Sequence, residues 1–141
     1  MPKSITPTEH KIQQAIIDLI RARGGVVTRV NSGSIIVKRG DKTYVVKLAD
    51  EGTSDTIAVY KSIALYIEVK KPGKKPTPEQ IAFLESVAEA GGVGLVVYDS
   101  ETVNELLNCV DSCQNDMANV YSFLKFVFDV KVSPNRLFVK G

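Results

Sequence analysis

The sequence predicts an α/β domain in which one helix precedes a group of strands and later helices alternate with strands. Three observations carry this. Ile12, Ile16, Leu19 and Ile20 recur at helical spacing. Residues 56–60 and 63–69 are two runs rich in β-branched and aromatic side chains, separated by Lys61-Ser62. Residues 77–98 join a helix with strong capping signals to an apolar strand. Length and composition agree, since 141 residues at 44% hydrophobic and 24% charged suffice for one domain with its own core. That domain is expected to span residues 1–141, with a core over about 8–113 and a C-terminal extension over 114–141.

The first helix is expected over residues 7–23, with Thr6 as N-cap, Pro7 at the first helical position and Gly24-Gly25 as the stop. Residues 26–30 read as a short strand, followed by a turn at Asn31-Ser32-Gly33. Residues 35–37 and 44–48 form a hairpin around Arg39-Gly40-Asp41-Lys42, and a polar loop over 49–54 leads to Asp55. Strands 56–60 and 63–69 follow, then a loop from Lys70 to Pro76 that holds four lysines and two prolines. Thr77-Pro78-Glu79-Gln80 opens the second helix as a capping box, with Ile81, Phe83, Leu84, Val87 and Ala88 inward. Residues 93–98 are expected as a central strand. Asp99 or Ser100 caps a third helix ending near Cys113. The aromatic residues Tyr121, Phe123, Phe126 and Phe128 are expected in a core or a subunit contact.

The charge and cysteine content narrow the chemistry. A net charge of +2 does not mark the whole surface for a polyanion, so a basic face must be local. Cys109 and Cys113 stand alone, far in sequence from the single histidine, which argues against zinc and for two reduced thiols. No apolar run approaches a membrane span and no signal-peptide pattern opens the chain, so a cytoplasmic setting without membrane contact is expected. Phage origin stays open.

The informative pattern lies in the middle of the chain. Gly52-Thr53-Ser54-Asp55 is followed, thirteen residues after Asp55, by Glu68-Val69-Lys70. If the hairpin turns at Lys61-Ser62, Tyr60 faces Ile63, Ile57 faces Tyr66 and Asp55 faces Glu68. Opposed residues share a face with Cβ atoms about 5 Å apart, and Lys70 shares the face of Glu68 because side chains alternate. Two carboxylates so placed repel, and a divalent cation between them reverses the sign. A hard ion held by a few carboxylates, with water and phosphate completing its shell, suits magnesium. A one-residue slip in the turn would move Asp55 to the other face. Glu9, in the first turn of the first helix, either serves the helix dipole or points at the same pocket. Gln80 either caps its helix or aims a hydrogen-bonding group at DNA or at a water in the site. The lysine loop leaves the Glu68 strand directly and would guide a phosphate backbone toward it.

This order resembles the PD-(D/E)XK nuclease superfamily and, within it, the virus-type replication-repair nuclease (VRR-NUC) family. The resemblance rests on Glu9, Arg29-Val30-Asn31-Ser32-Gly33, Gly52-Thr53-Ser54-Asp55, Glu68-Val69-Lys70, the Gly73 loop and Gln80-Ile81-Ala82-Phe83. It runs from about Thr8 to Tyr98, with Ser54 where the superfamily's name has proline. It implies a restriction-endonuclease-like mixed β-sheet flanked by helices, and DNA phosphodiester hydrolysis that depends on Mg2+, for which Mn2+ substitutes. By the same resemblance Asp55, Glu68 and the Val69 carbonyl are metal ligands, with Glu9 reaching the ion directly or through water. Lys70 stabilises developing charge, and Gln80 and Glu9 support the site. Arg29, Lys38, Arg39, Lys42, Lys71, Lys74 and Lys75 are expected phosphate contacts. Branched DNA, such as a Holliday junction, is the expected substrate and a homodimer the expected assembly. The rival readings are a non-catalytic DNA-binding subunit on the same scaffold and a phosphoesterase for small nucleotides; the absence of a Gly-rich phosphate loop argues against the second.

Overall fold

The computed structural model describes residues 8–31 and 34–113. The order is α1 (Glu9–Ala22), β1 (Val26–Arg29), β2 (Ser34–Arg39), β3 (Lys42–Lys47), β4 (Thr56–Tyr60), β5 (Ile63–Val69), α2 (Pro78–Glu89), β6 (Val93–Val97) and α3 (Ser100–Ser112). Strands β1, β4, β5 and β6 form one sheet in that spatial order. Its first three strands pair antiparallel, and β6 runs parallel to β5. A mixed sheet between helices is the predicted fold class. Strands β2 and β3 form a separate two-stranded ribbon.

Helix α1 begins two residues later than the sequence suggests. Its N-cap is Thr8, whose hydroxyl accepts from the Lys11 N–H, and not Thr6, which with Pro7 lies outside the described residues. The buried stripe comprises Ile12, Ile16, Ile17 and Ile20, with Leu19 only half-buried. Burying each such side chain is worth roughly 1.5–3 kcal/mol, which locks α1 to the sheet. Together with Val103, Leu106, Leu107 and Val110 of α3, these isoleucines cover the face that carries Val27, Ala58, Leu65, Ile67 and Val69. Helix α2 covers part of the opposite face through Leu84 and Ala88, and Phe83 packs on Tyr66 at a ring separation of 5.9 Å.

Two expectations are corrected here. Strand β6 was expected at the centre but stands at the end of the sheet among the described strands. It is fully buried because α2 and α3 cover its two faces, so an apolar run reported two covered faces and not a central place. Of the α2 residues expected to be buried, Leu84 and Ala88 are, while Ile81, Phe83 and Val87 are only half-buried. Asp99 caps α3 through its carboxylate, which accepts from the Thr102 N–H. Cys109 and Cys113 are free, with sulfurs 4.0 Å apart. The turn at residues 32 and 33 and the aromatic extension over 114–141 lie outside the described residues.

The β4–β5 register is the one the acidic pair requires. Tyr60 pairs with Ile63, Ile57 with Tyr66 and Thr56 with Ile67. The turn has Lys61 at φ 47° and Ser62 at φ 69°, the left-handed pair of a two-residue hairpin. At this end Asp111 of α3 gathers the Tyr60 hydroxyl at 2.7 Å, the Lys61 ammonium at 2.5 Å and the Arg23 guanidinium at 2.6 Å. Hydrogen bonds from Lys61 and then Tyr60 hold the Asp111 carboxyl down at about 2.

Candidate active site

At the other end of the hairpin the ladder stops and side chains take over. Beyond the Thr56–Ile67 pair, the Val69 N–H donates to the Asp55 carboxylate, at 3.3 Å to Oδ1 and 3.2 Å to Oδ2. The Asp55 backbone carbonyl accepts from the Val30 N–H at 2.9 Å, which ties the acid to the strand on its other side. In an antiparallel ladder a residue's N–H and C=O face the same neighbour. The Val69 carbonyl therefore leaves β5 on the side of Asp55.

Glu68 is 4% exposed. Its Oε1 accepts from the Gln80 amide at 2.9 Å and lies 3.6 Å from the Lys70 ammonium. Its Oε2 is buried and has no hydrogen-bond partner. Burial first, and then the nearby Asp55 charge, push the Glu68 carboxyl up to about 8. Burial also pushes Asp55 up to about 6, against hydrogen bonds from Thr56 and Val69 and the Lys70 charge. Asp55, Glu68 and Lys70 thus come together as the register predicted.

Gln80 fills the capping role the sequence offered and also bonds Glu68. Its Oε1 accepts from the Thr77 N–H at 2.9 Å and completes the capping box, while its Nε2 donates to Glu68. Glu9 stands at the rim, where its Oε1 accepts from the Lys71 N–H at 3.3 Å, and its charge acts on Asp55. It does not complete a three-carboxylate cluster: among the described residues no group of three or more His, Cys, Asp or Glu is close enough to hold a metal ion. Lys71, Lys74 and Lys75 are exposed on the loop after β5, and Lys38, Arg39 and Lys42 are exposed on the ribbon. Arg29 is engaged within the fold, donating to the Gln14 side chain with its other terminal nitrogen 3.3 Å from His10 Nδ1.

Two residues of the site escaped the sequence reading. The Gln13 amide donates to the Asp55 carbonyl and to Thr56 Oγ1, each at 3.0 Å. Thr56 is fully buried, and its hydroxyl donates to Asp55 Oδ1 at 2.9 Å. Gln13 follows Glu9 by four positions, so the two share a helix face; that spacing was the available signal. Buried Ser54 Oγ has no hydrogen-bond partner.

The donor set fits a hard divalent ion. A buried carboxylate with an orphaned oxygen, a half-buried one beside it and a carbonyl on the same side are oxygen ligands lacking a positive partner beyond one lysine. Among the described residues no helix is long and apolar enough to cross a membrane. No protein-family model matches the sequence, and no curated protein matches it. A solved VRR_NUC domain matches the structure with a TM-score of 0.51 at 20% identity, covering 72% of this chain and 95% of that one. The chain therefore has the fold of a VRR_NUC domain, the architecture its motifs anticipated.

Proposed function

We propose that this chain is a metal-dependent deoxyribonuclease of the VRR-NUC type that hydrolyses DNA phosphodiester bonds, with branched DNA as its preferred substrate. The observation that carries the reading is the pairing of half-buried Asp55 with buried Glu68, whose orphaned oxygen lies in the same site as Lys70. Removing two carboxylates from water without a cation raises both pKa values, as seen for this pair, and offers the fold nothing in return.

Asp55, Glu68 and the Val69 carbonyl would hold Mg2+, or Mn2+ in its place. When bound, such an ion supplies Lewis acidity toward a phosphoryl oxygen and a more acidic water. The chain's own residues do the rest. Gln80 fixes Glu68 through one amide nitrogen, so that its second oxygen stays available. Thr56 and the Val69 N–H fix the Asp55 carboxylate. Lys70, tethered by Glu68, places positive charge where the reacting phosphate becomes more negative. Glu9, at the rim, is placed to accept a proton from an incoming water. The exposed lysines over 71–75 draw the phosphate backbone toward this corner. Paired incisions in a branched substrate would call for a two-fold dimer.

The test compares cleavage of four-way and linear DNA in Mg2+ or Mn2+ by the wild type, Asp55→Ala and Lys70→Ala. Each substitution is expected to reduce the rate by about 100-fold or more. Wild-type rates in both variants would exclude this site.

A further inference from the structure

The ribbon formed by β2 and β3 is built unlike the rest of the chain. Ile36 and Val45 pair across it and are 69% and 70% exposed. On the opposite face Ile35 pairs with Val46 and Val37 with Tyr44, and three of these four are exposed large side chains. Folding gains little from them, because among the described residues neither ribbon strand makes substantial contact with a helix or with the main sheet. Cations flank the apolar rungs. Lys47 stands at the base, Lys38, Arg39 and Lys42 at the tip, and Asp41 is the ribbon's single acid. None of these four cations forms an ion pair among the described residues.

This pattern selects the occupant. A second copy of the ribbon would set like charges together, and lysines along an edge strand oppose edge-to-edge pairing. An apolar protein surface would strand the cations. A nucleic acid offers flat apolar bases between lines of phosphates, which match apolar rungs between cationic ones. Apolar wedges such as the Ile36–Val45 rung enter DNA where base steps open, and on the ribbon's other face Tyr44 offers a surface on which a base can stack. Opening a step in intact duplex costs free energy that a branch point has already lost. The ribbon also roots at the candidate site, since β1 ends at Arg29, paired with Thr56, and the chain after β3 returns to Asp55.

We propose that the β2–β3 ribbon is the element that recognises branched DNA, its Ile36–Val45 face wedging among the unstacked bases of a branch while Lys38 on that face and Arg39 and Lys42 at the tip hold the flanking phosphates. For its substrate this rests on the nuclease reading; for its binding it does not. The experiment uses the full chain, the double variant Ile36→Ser/Val45→Ser, and four-way and linear DNAs of matched sequence with 2-aminopurine at the branch position. In EDTA, wild type should raise the fluorescence of the junction probe on binding, and the variant should not. With Mg2+ or Mn2+, the ratio of junction to linear cleavage should fall about tenfold or more in the variant. A ribbon variant that raises the fluorescence as wild type does, a wild type that leaves it unchanged, or sedimentation showing that the substitution splits a dimer, would overturn the proposal. Should wild type cleave neither DNA yet open the branch in EDTA, the ribbon assignment stands and the nuclease reading falls.

Discussion

Asp55 is held by donors of the fold itself, and this decides what the carboxylate can do. The Gln13 amide bonds Thr56 Oγ1, and the Thr56 hydroxyl bonds Asp55 Oδ1. The Val69 N–H shares the same carboxylate. Hydrogen bonds to the charged form work against the burial that raises this group, so they keep it usable as an anion. Thr56→Val preserves shape and removes the hydroxyl; Gln13→Leu frees that hydroxyl to turn elsewhere. Partners one step behind a ligand typically change metal affinity by about 10–100-fold. Both variants should therefore bind Mn2+ at least about tenfold more weakly by calorimetry while remaining folded. Binding within a factor of about two of wild type would show that the Gln13–Thr56 relay serves packing alone.

Among the elements, the contact between the 49–54 loop and α2 matters most for the site. Gly52 has φ +84°, and a Cβ there would lie 2.2 Å from the Glu79 carbonyl oxygen. The loop therefore rests directly on the first turn of the helix that presents Gln80 to Glu68. Gly52→Ala adds left-handed strain to a backbone clash and should cost about 2–4 kcal/mol. Gly40 offers the control, since φ is +60° there but nothing lies within 4 Å of the added carbon. Gly40→Ala should cost only the strain, about 1–2 kcal/mol. Urea melts of the two variants would compare them, and equal losses would refute the close approach. This contact also shows what a sequence can and cannot reveal. The hairpin register was legible because Ile57, Tyr66, Ile63 and Tyr60 pair only one way with a turn at Lys61-Ser62, although neither turn residue is the Asn or Gly that left-handed turns favour. Asp55, Glu68, Lys70 and Gln80 were legible because period-2 and helical spacing determine faces. Gln13 and Thr56 were not: the spacing from Glu9 puts Gln13 on the right helix face, but the partners of both are set by how α1 crosses β4, a tertiary fact. The bonds of the Arg29 guanidinium to α1 had no local signal. The end position of β6 was hidden because helices on both faces mimic a central strand.

At the level of the whole molecule, the acidic pair couples folding, protons and metal. Glu68 is raised from 4.5 to about 8 and Asp55 from 3.8 to about 6, both first by burial. The groups facing them are Lys70, Gln80, Thr56, the Val69 N–H and, at the rim, Glu9. A carboxyl raised by folding makes the folded state the better proton binder. Its contribution is complete below the unfolded value and is lost as pH rises through the folded one. The metal-free protein should therefore lose stability between about pH 5 and pH 8, with the Glu68 part falling latest. Asp111 shifts the opposite way, to about 2, so its contribution is constant across this window and cannot produce the slope. A divalent ion competes with the same protons, so Mn2+ should stabilise most at pH 8, where the pair most lacks a counter-charge. In thermal melts with EDTA the midpoint should drop by about 5 °C from pH 5 to pH 8, and Mn2+ should reverse the drop. Glu68→Gln carries no titrating group at that position. It should flatten most of the slope in EDTA and abolish the Mn2+ effect together. A midpoint in EDTA that holds steady or climbs from pH 5 to pH 8 would mean that the pair is already neutralised without metal, and the central argument for a cation there would fail. If Glu68→Gln flattened the slope but kept the full Mn2+ response, the ion would have to bind away from Glu68, on ligands other than this pair.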